Sequence, residues 1–516
     1  MAEPSDPKLL CKKCNHINLE DLKGADGCVH QPSFKALVDS ASGCMLCKLI
    51  AEACVDYLRR ERVNVDAATG HLGPVRLFAT GQTDTSSGME LRTFAVLQER
   101  QLSQNVIVTV GKLPQKLFVN PSWSILLEMY ALKDSSAEQA GILRLREIES
   151  QAVCEANLSR LRKWLELCKR HHKMCSLEHI KQLVGTSPMP KRLIDLGPSN
   201  GSPTKPKIIH TRGRQEQYVA LSYCWGSAHH LRTTNENFSE MQKAIPIKLL
   251  PQTIRDAFLV AQKLDIRYIW VDALCIIQDN ADDWGSEAKR MGAIYANSYF
   301  TIAATAAKDS VEGFLWPRTL SRVSVPFRRS ATSESEGTVY FRQLHDFLRD
   351  HQEYVLNSPL QQRAWVLQEM LLSRRIVHFS SKQIYWECRY TFGAEDDVTS
   401  DADCREHGRQ FLNTLSVLQG GVVLERYAII FFPIWTEILS RYSTLSISRP
   451  SDKLPALSGL ASLVERIIGC QYLYGIWNFN LPYGLFWQPV SRPTHRADEW
   501  RAPSWSWAAW EGEIMF

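Results

Sequence analysis

The feature that most constrains this chain is the alternation of apolar runs and amphipathic stretches between Tyr218 and Ala304. Residues 218–224 form an apolar run of strand length. Pro251 then stands where a helix accepts proline at its start, and Ile254, Ala257, Phe258, Ala261 and Leu264 recur at helical spacing. Residues 267–277 are nearly all apolar, as a strand covered by helices on both faces must be. A second helix is expected from about Asp283 to Asn297, and residues 299–304 read as a third strand. Strand–helix–strand–helix–strand implies a parallel sheet with right-handed crossovers. The first strand ends in Ser222, Tyr223, Cys224, Trp225 and Gly226, and the second runs through Asp272 towards Asp279. Open sheets bind ligands at that carboxyl edge.

At 516 residues the chain exceeds one core, so several domains are expected. We divide it into an N-terminal region 1–190, a central domain 191–390 with its core at 218–370, and a helical, Trp-rich region 391–516. The 22% charged and 45% hydrophobic content is that of a soluble globular protein. A net charge of +5 is too small to point to nucleic acid. The most apolar run, 427–439, contains Pro433 and Glu437 and is too short for a membrane span. The N-terminus lacks a basic region followed by an apolar one, so a cytoplasmic location is expected.

The 14 cysteines are then thiols or metal ligands rather than a disulfide framework. Cys11-x2-Cys14 and Cys44-x2-Cys47 suit tetrahedral structural zinc, with His16, Cys28 and His30 between them as substitutes. The competing reading packs Cys44, Cys47 and Cys54 inside a helix over 47–58. Residues 75–78, 91–96 and 106–110 read as strands. On a helix over 153–175, Cys168, His172 and Cys175 share one face. That face reads as core, because three positions on one helix do not complete a metal site. Further along, 192–195 reads as a strand, 197–206 as a breaker-rich loop and 330–337 as a Ser-rich surface insertion. Residues 359–372 read as a helix, and 375–379 with 383–388 as a hairpin.

Several blocks occur in a fixed order: Tyr218-Val-Ala-Leu-Ser-Tyr-Cys-Trp-Gly226, Leu250-Pro-Gln-Thr-Ile-Arg-Asp-Ala257, Arg267-Tyr-Ile-Trp-Val-Asp-Ala-Leu-Cys-Ile-Ile-Gln-Asp279, Asp283-Trp284 with Glu287, Met291 and Tyr295, and Arg363-Ala-Trp-Val-Leu-Gln-Glu369. In these the chain resembles the fungal heterokaryon incompatibility (HET) domain family. Flanking pieces, Cys168 and Cys175 before Arg192 and Pro503-Ser-Trp-Ser-Trp-Ala508 after it, are similar to the wider family. The resemblance implies a fungal protein of non-self recognition and programmed cell death, with self-association or partner proteins of that response. Ala273 stands where family members often carry Ser. The family is in turn similar to TIR domains, which implies a central flavodoxin/TIR-like parallel sheet flanked by helices, with an α+β region before it and a mainly helical region after it. Some TIR domains cleave NAD⁺ with a glutamate near a Trp. The corresponding stretch here is Trp284-Gly-Ser-Glu287, which makes Glu287 the candidate catalyst and NAD⁺ the candidate substrate.

Each candidate has a plainer reading. Glu287 borders the apolar stripe of Trp284, Ala288, Met291 and Tyr295, and otherwise pairs with Arg290 or Lys289 on the surface. Tyr223 or Trp225 could stack on a base, with Gly226 admitting the ligand, or they cap the core around a turn. Asp272 in an apolar strand needs donors, and Arg255 is the expected one. Asp279, Asp282 and Asp283 could bind a cation, but acids that open a helix are expected to favour its N-terminal dipole. Glu369 is a second acid candidate, or a salt bridge docking its helix on the sheet. A hydrolase reading takes Ser222 or Cys224 as nucleophile, His229 or His230 as base and Asp272 as orienter, without the usual G-x-S-x-G elbow. P-loop and Rossmann glycine patterns are absent. The alternative to an effector enzyme is a non-enzymatic self-association module.

Overall fold

The computed structural model describes residues 10–23, 28–60, 75–79, 105–110, 124–142, 145–184, 189–198, 205–227, 230–318, 322–343, 350–396, 399–400, 406–418, 424–490 and 495–516. The chain forms two compact units, residues 1–148 with 319–346, and residues 149–318 with 347–516. The expected strand over 91–96, loop residues 199–204 and His229 lie outside the described residues.

The first unit is built on an antiparallel six-stranded sheet. Its strands are β1 (Cys28–Gln31), β2 (Val75–Ala79), β3 (Asn105–Val110), β4 (Ser124–Tyr130), β10 (Arg322–Phe327) and β11 (Gly337–Gln343), ordered β1-β2-β3-β4-β11-β10. The Ser-rich stretch at 330–337 connects β10 to β11, which pair antiparallel. Helices Phe34–Ala41 and Met45–Arg60 belong to this unit, and Leu37, Leu46 and Ile50 join Val75, Leu127, Val325 and Phe341 in its core.

The second unit holds a nine-stranded mixed sheet. In chain order its strands are β5 (Arg192–Asp195), β6 (Lys207–His210), β7 (Tyr218–Ser222), β8 (Tyr268–Trp270), β9 (Thr301–Ala303), β12 (Arg375–Phe379), β13 (Ile384–Cys388), β14 (Phe392–Ala394) and β15 (Thr399–Ser400). Their order is β15-β14-β13-β12-β9-β7-β8-β5-β6. Only β12, β9, β7 and β8 run parallel to one another. They stand in the order fourth, third, first, second, which puts a topological switch point between β7 and β9. β5 and β6 on one side and β13, β14 and β15 on the other pair antiparallel. The expected central parallel sheet is thus met in part: its four inner strands are parallel, and the sheet as a whole is mixed. Connection length explains one of the antiparallel pairs: only residues 380–383 join β12 to β13, far too few for a crossover helix.

All five residues of β7 are buried, as are Ile254, Ala257, Phe258, Ala261 and Leu264 of the Gln252–Lys263 helix and its cap. The expected long strand at 267–277 is shorter. Asp272 opens a helical turn, Asp272–Cys275, directly after β8. The helix expected over 283–297 is two helices, Ala281–Ala288 and Met291–Asn297, broken at Lys289 and Arg290. The Trp-rich region is helical at Glu406–Leu418, Leu424–Ser443 and Ser458–Ile468. No helix among the described residues is long and apolar enough to cross a membrane.

Candidate functional site at the carboxyl edge of the sheet

The carboxyl ends of β7 and β8 bring Ser222, Tyr223, Trp225, Gly226 and Asp272 together. The Ser222 hydroxyl donates to Glu369 Oε2 at 2.5 Å, and Glu369 lies in the buried Ala364–Leu372 helix. Burial pushes the Glu369 carboxyl up to about 7, against the bond from Ser222 and the Arg363 charge. Arg363 itself donates to the Tyr223 carbonyl. Trp225 Nε1 donates to Asp272 Oδ2 at 2.8 Å, and the Ala273 amide to Oδ1 at 2.7 Å. Burial raises the Asp272 carboxyl, and Trp225 and Arg363 pull it back. The expected donor, Arg255, is exposed on the far side of its helix, so that expectation is corrected. The helical turn after β8 supplies Asp272 with a backbone amide, and the cation acting on it is Arg363 rather than Arg255.

Gly226 has φ +74°, and a Cβ there would stand 2.3 Å from Asp309 Cβ. The close approach is made by the Asp309 loop. Tyr223 is buried, and Trp225 meets the His230 ring edge-on at 5.7 Å. The His230 Nδ1 faces Ser310 Oγ at 3.3 Å, and Ser222 is bonded to a carboxylate. Of the residues in the hydrolase reading, Ser222 thus bonds Glu369 and Asp272 accepts from Trp225.

Glu287 and Trp284 belong to a second group. Trp284 packs edge-on against Trp365 at 6.3 Å. Glu287 has no exposed surface. Its Oε1 meets Arg290 Nη1 at 3.0 Å and Lys191 Nζ at 3.8 Å, while Oε2 has no hydrogen-bond partner among the described residues. Of the two expected partners Arg290 is the one that pairs, and the second cation is not Lys289 but the partly exposed Lys191, which precedes β5. Burial raises the Glu287 carboxyl, and Arg290, Lys191 and Arg192 lower it again. Asp283, in the first turn of the same helix, pairs with Arg192 and lies 3.5 Å from Lys191. The Asn280 side chain caps that helix and Asp282 and Asp283 stand in its first turn, whereas Asp279 precedes it and accepts from the Asn235 amide.

Lys191 and Arg290 also line a cleft of about 510 Å³ with Met189, His210, Thr211, Arg212 and Gly213. Because β5 runs antiparallel to β8, Lys191 comes to the same sheet edge as Asp272. β6 reverses again and delivers His210 there. The turn after it holds Arg212 and Gly213 at φ +48° and +78°. The cleft has the size of a small-molecule site, and the charges of Lys191, Arg212 and Arg290 suit an anion, while burial and the nearby Arg192 and Arg212 lower the His210 imidazole. Sequence spacing carries no signal for this cleft, since antiparallel pairing brings Lys191 and His210 together and Arg290 joins them from the start of a helix.

In the first unit, Cys11, Cys14, Cys44 and Cys47 place their sulfurs within 4.8 Å of one another. Sulfur separations of 3.8, 3.6 and 3.3 Å compare with about 3.8 Å for the edge of a tetrahedron with zinc–sulfur bonds. All are free thiols. The two knuckles sit at separate helices, Lys12–Asn15 and Met45–Arg60, which the fold brings together despite the long gap in sequence. His30 Nε2 lies 3.6 Å from Cys14 and 3.4 Å from Cys47, and Gln31 donates to Cys47 at 3.5 Å. His16 bonds the Lys12 carbonyl instead, and Cys54 is buried elsewhere in the core. The cluster can hold a metal ion.

Residues 218–369 match the family model described as heterokaryon incompatibility protein (HET). No curated protein and no solved structure matches the chain.

Proposed function

We propose, from the premise that residues 218–369 are a HET domain, that this chain is an effector of non-self recognition and cell death that cleaves NAD⁺ at the Lys191–Arg290 cleft. The observation that carries the reading is the pairing of a basic cleft with a buried carboxylate behind it, whose Oε2 has no partner among the described residues. The basic side chains suit the pyrophosphate of a dinucleotide. Water adds to C1′ of the nicotinamide ribose and the C–N bond breaks. Nicotinamide leaves with the bonding electron pair, giving ADP-ribose and a proton. Glu287 holds a ribose hydroxyl and stabilises the oxocarbenium-like state by its charge. Glu287 is enclosed, so Lys191, on its flexible stem, swings outward when the ligand enters. The Cys11, Cys14, Cys44 and Cys47 cluster takes structural zinc, as a closed set of four thiolates does.

A second reading, self-association without chemistry, is favoured by one observation. Tyr474, Trp500 and Trp505 are 46, 69 and 42% exposed and lie ring against ring at 6.0 and 6.4 Å. Equilibrium binding of NAD⁺ to the full chain, beside Lys191→Ala and Arg212→Ala, separates the two. Loss of one charge-assisted contact is expected to weaken binding about tenfold in each variant. Equal affinity in all three chains, or no binding, removes the cleft. Association that is lost with Trp500→Ala would then favour the second reading.

A further inference from the structure

Cys168, His172 and Cys175 were expected to be core, for want of a fourth ligand. The fold supplies one. Cys168 and His172 lie on the last turn and cap of the Glu155–His171 helix, and Cys175 ends the short helix Lys173–Cys175. Cys388 ends β13, more than two hundred residues later, on the antiparallel flank of the sheet. Trp164 of the helix stacks on Trp386 of β13 at 6.0 Å, which fixes the two elements against each other.

The four ligand atoms all lie within 4.8 Å of one another. Cys388 Sγ stands 3.3 Å from His172 Nδ1, close to the edge of about 3.6 Å for a zinc tetrahedron with one nitrogen and one sulfur. The three sulfurs are buried free thiols. Around them is the shell that a thiolate site needs. Arg375 Nε donates to Cys168 Sγ at 3.1 Å. The amides of Tyr390 and Thr391 point at Cys388 Sγ at 3.4 and 3.3 Å, and the Tyr390 ring stacks on His172 at 4.8 Å. Zinc with three thiolates and a neutral imidazole carries one negative charge, and the Arg375 guanidinium offsets it. A plain core face would have no use for a cation and two amides aimed at its sulfurs.

We propose that Cys168, His172, Cys175 and Cys388 form a structural zinc site that ties this helix to the outer hairpin of the mixed sheet. Four protein ligands close the coordination sphere, so the metal binds no substrate. The site is independent of the Cys11 to Cys47 cluster and of the reading given to the cleft.

The test is zinc content and zinc X-ray absorption of the full chain, purified without chelator. Two zinc ions per chain are expected, with an average shell of sulfur plus a minority of nitrogen from His172. Cys11→Ser with Cys14→Ser is expected to leave one zinc, which Cys388→Ser then removes. A folded Cys11→Ser, Cys14→Ser chain that holds no zinc and takes up no Co²⁺ overturns the proposal. If that variant does not fold, the wild-type chain decides: an all-sulfur shell, or no zinc, overturns it.

Discussion

At the residue scale, the buried acids were visible in the sequence, but their partners were not. Ser222 and Glu369 are 147 positions apart, and only the packing of the Ala364–Leu372 helix on β7 joins them. Glu369 yields a prediction with a definite sign. Its folded-state value of about 7 lies above that of an unfolded glutamate, so the native chain binds the extra proton. Stability on this account is fully present below the unfolded value and falls as pH rises through about 7. Glu369→Gln should remove that loss, raising stability above pH 7 by on the order of 3 kcal/mol at most, and little at pH 4. Denaturant midpoints measured across pH check this. A variant destabilised at every pH would instead mean that the carboxylate's bond to Ser222 outweighs its burial cost.

At the scale of elements, periodicity found the helices and most strands because their apolar faces are continuous. It overran at 267–277, where the buried Ala273, Leu274 and Cys275 lie in a helical turn rather than a strand, and at 289–290, where a helix breaks without proline or glycine at either position. Close helix packing was also hidden. Gly292 and Gly459, in the helices Met291–Asn297 and Ser458–Ile468, approach so tightly that a Cβ on Gly292 would lie 2.8 Å from Leu372 Cδ1 and 3.0 Å from Gly459 Cα. Gly292→Ala should cost about 1–3 kcal/mol, because backbone cannot yield as a side chain can. Gly285→Ala, in the neighbouring helix with nothing within 4 Å, should instead stabilise by about 0.5–1 kcal/mol. Equal shifts of the unfolding midpoint in the two variants would contradict the packing argument.

At the scale of the whole molecule, what sequence could not supply was long-range antiparallel pairing. Tyr340 pairs with Tyr130 to complete the first unit's sheet, Arg192 pairs with His210 to bring Lys191 to the cleft, and β13 carries Cys388 to Cys168. Local patterns are blind to partners chosen across such separations. The ordered blocks from Tyr218 to Ala304 were legible because they hold β7, β8 and β9, three parallel strands consecutive in the chain.

The most direct measurement of the central claim is NAD⁺ turnover by the full chain beside Glu287→Gln, with nucleotide affinity measured for both. The account predicts turnover by the wild type and a fall of about 100-fold or more in the variant at similar affinity. It also predicts an acid limb displaced above the range of an ordinary glutamate, because burial raises Glu287 and activity needs its charged form. Equal turnover in the two chains, or none in either, would contradict it.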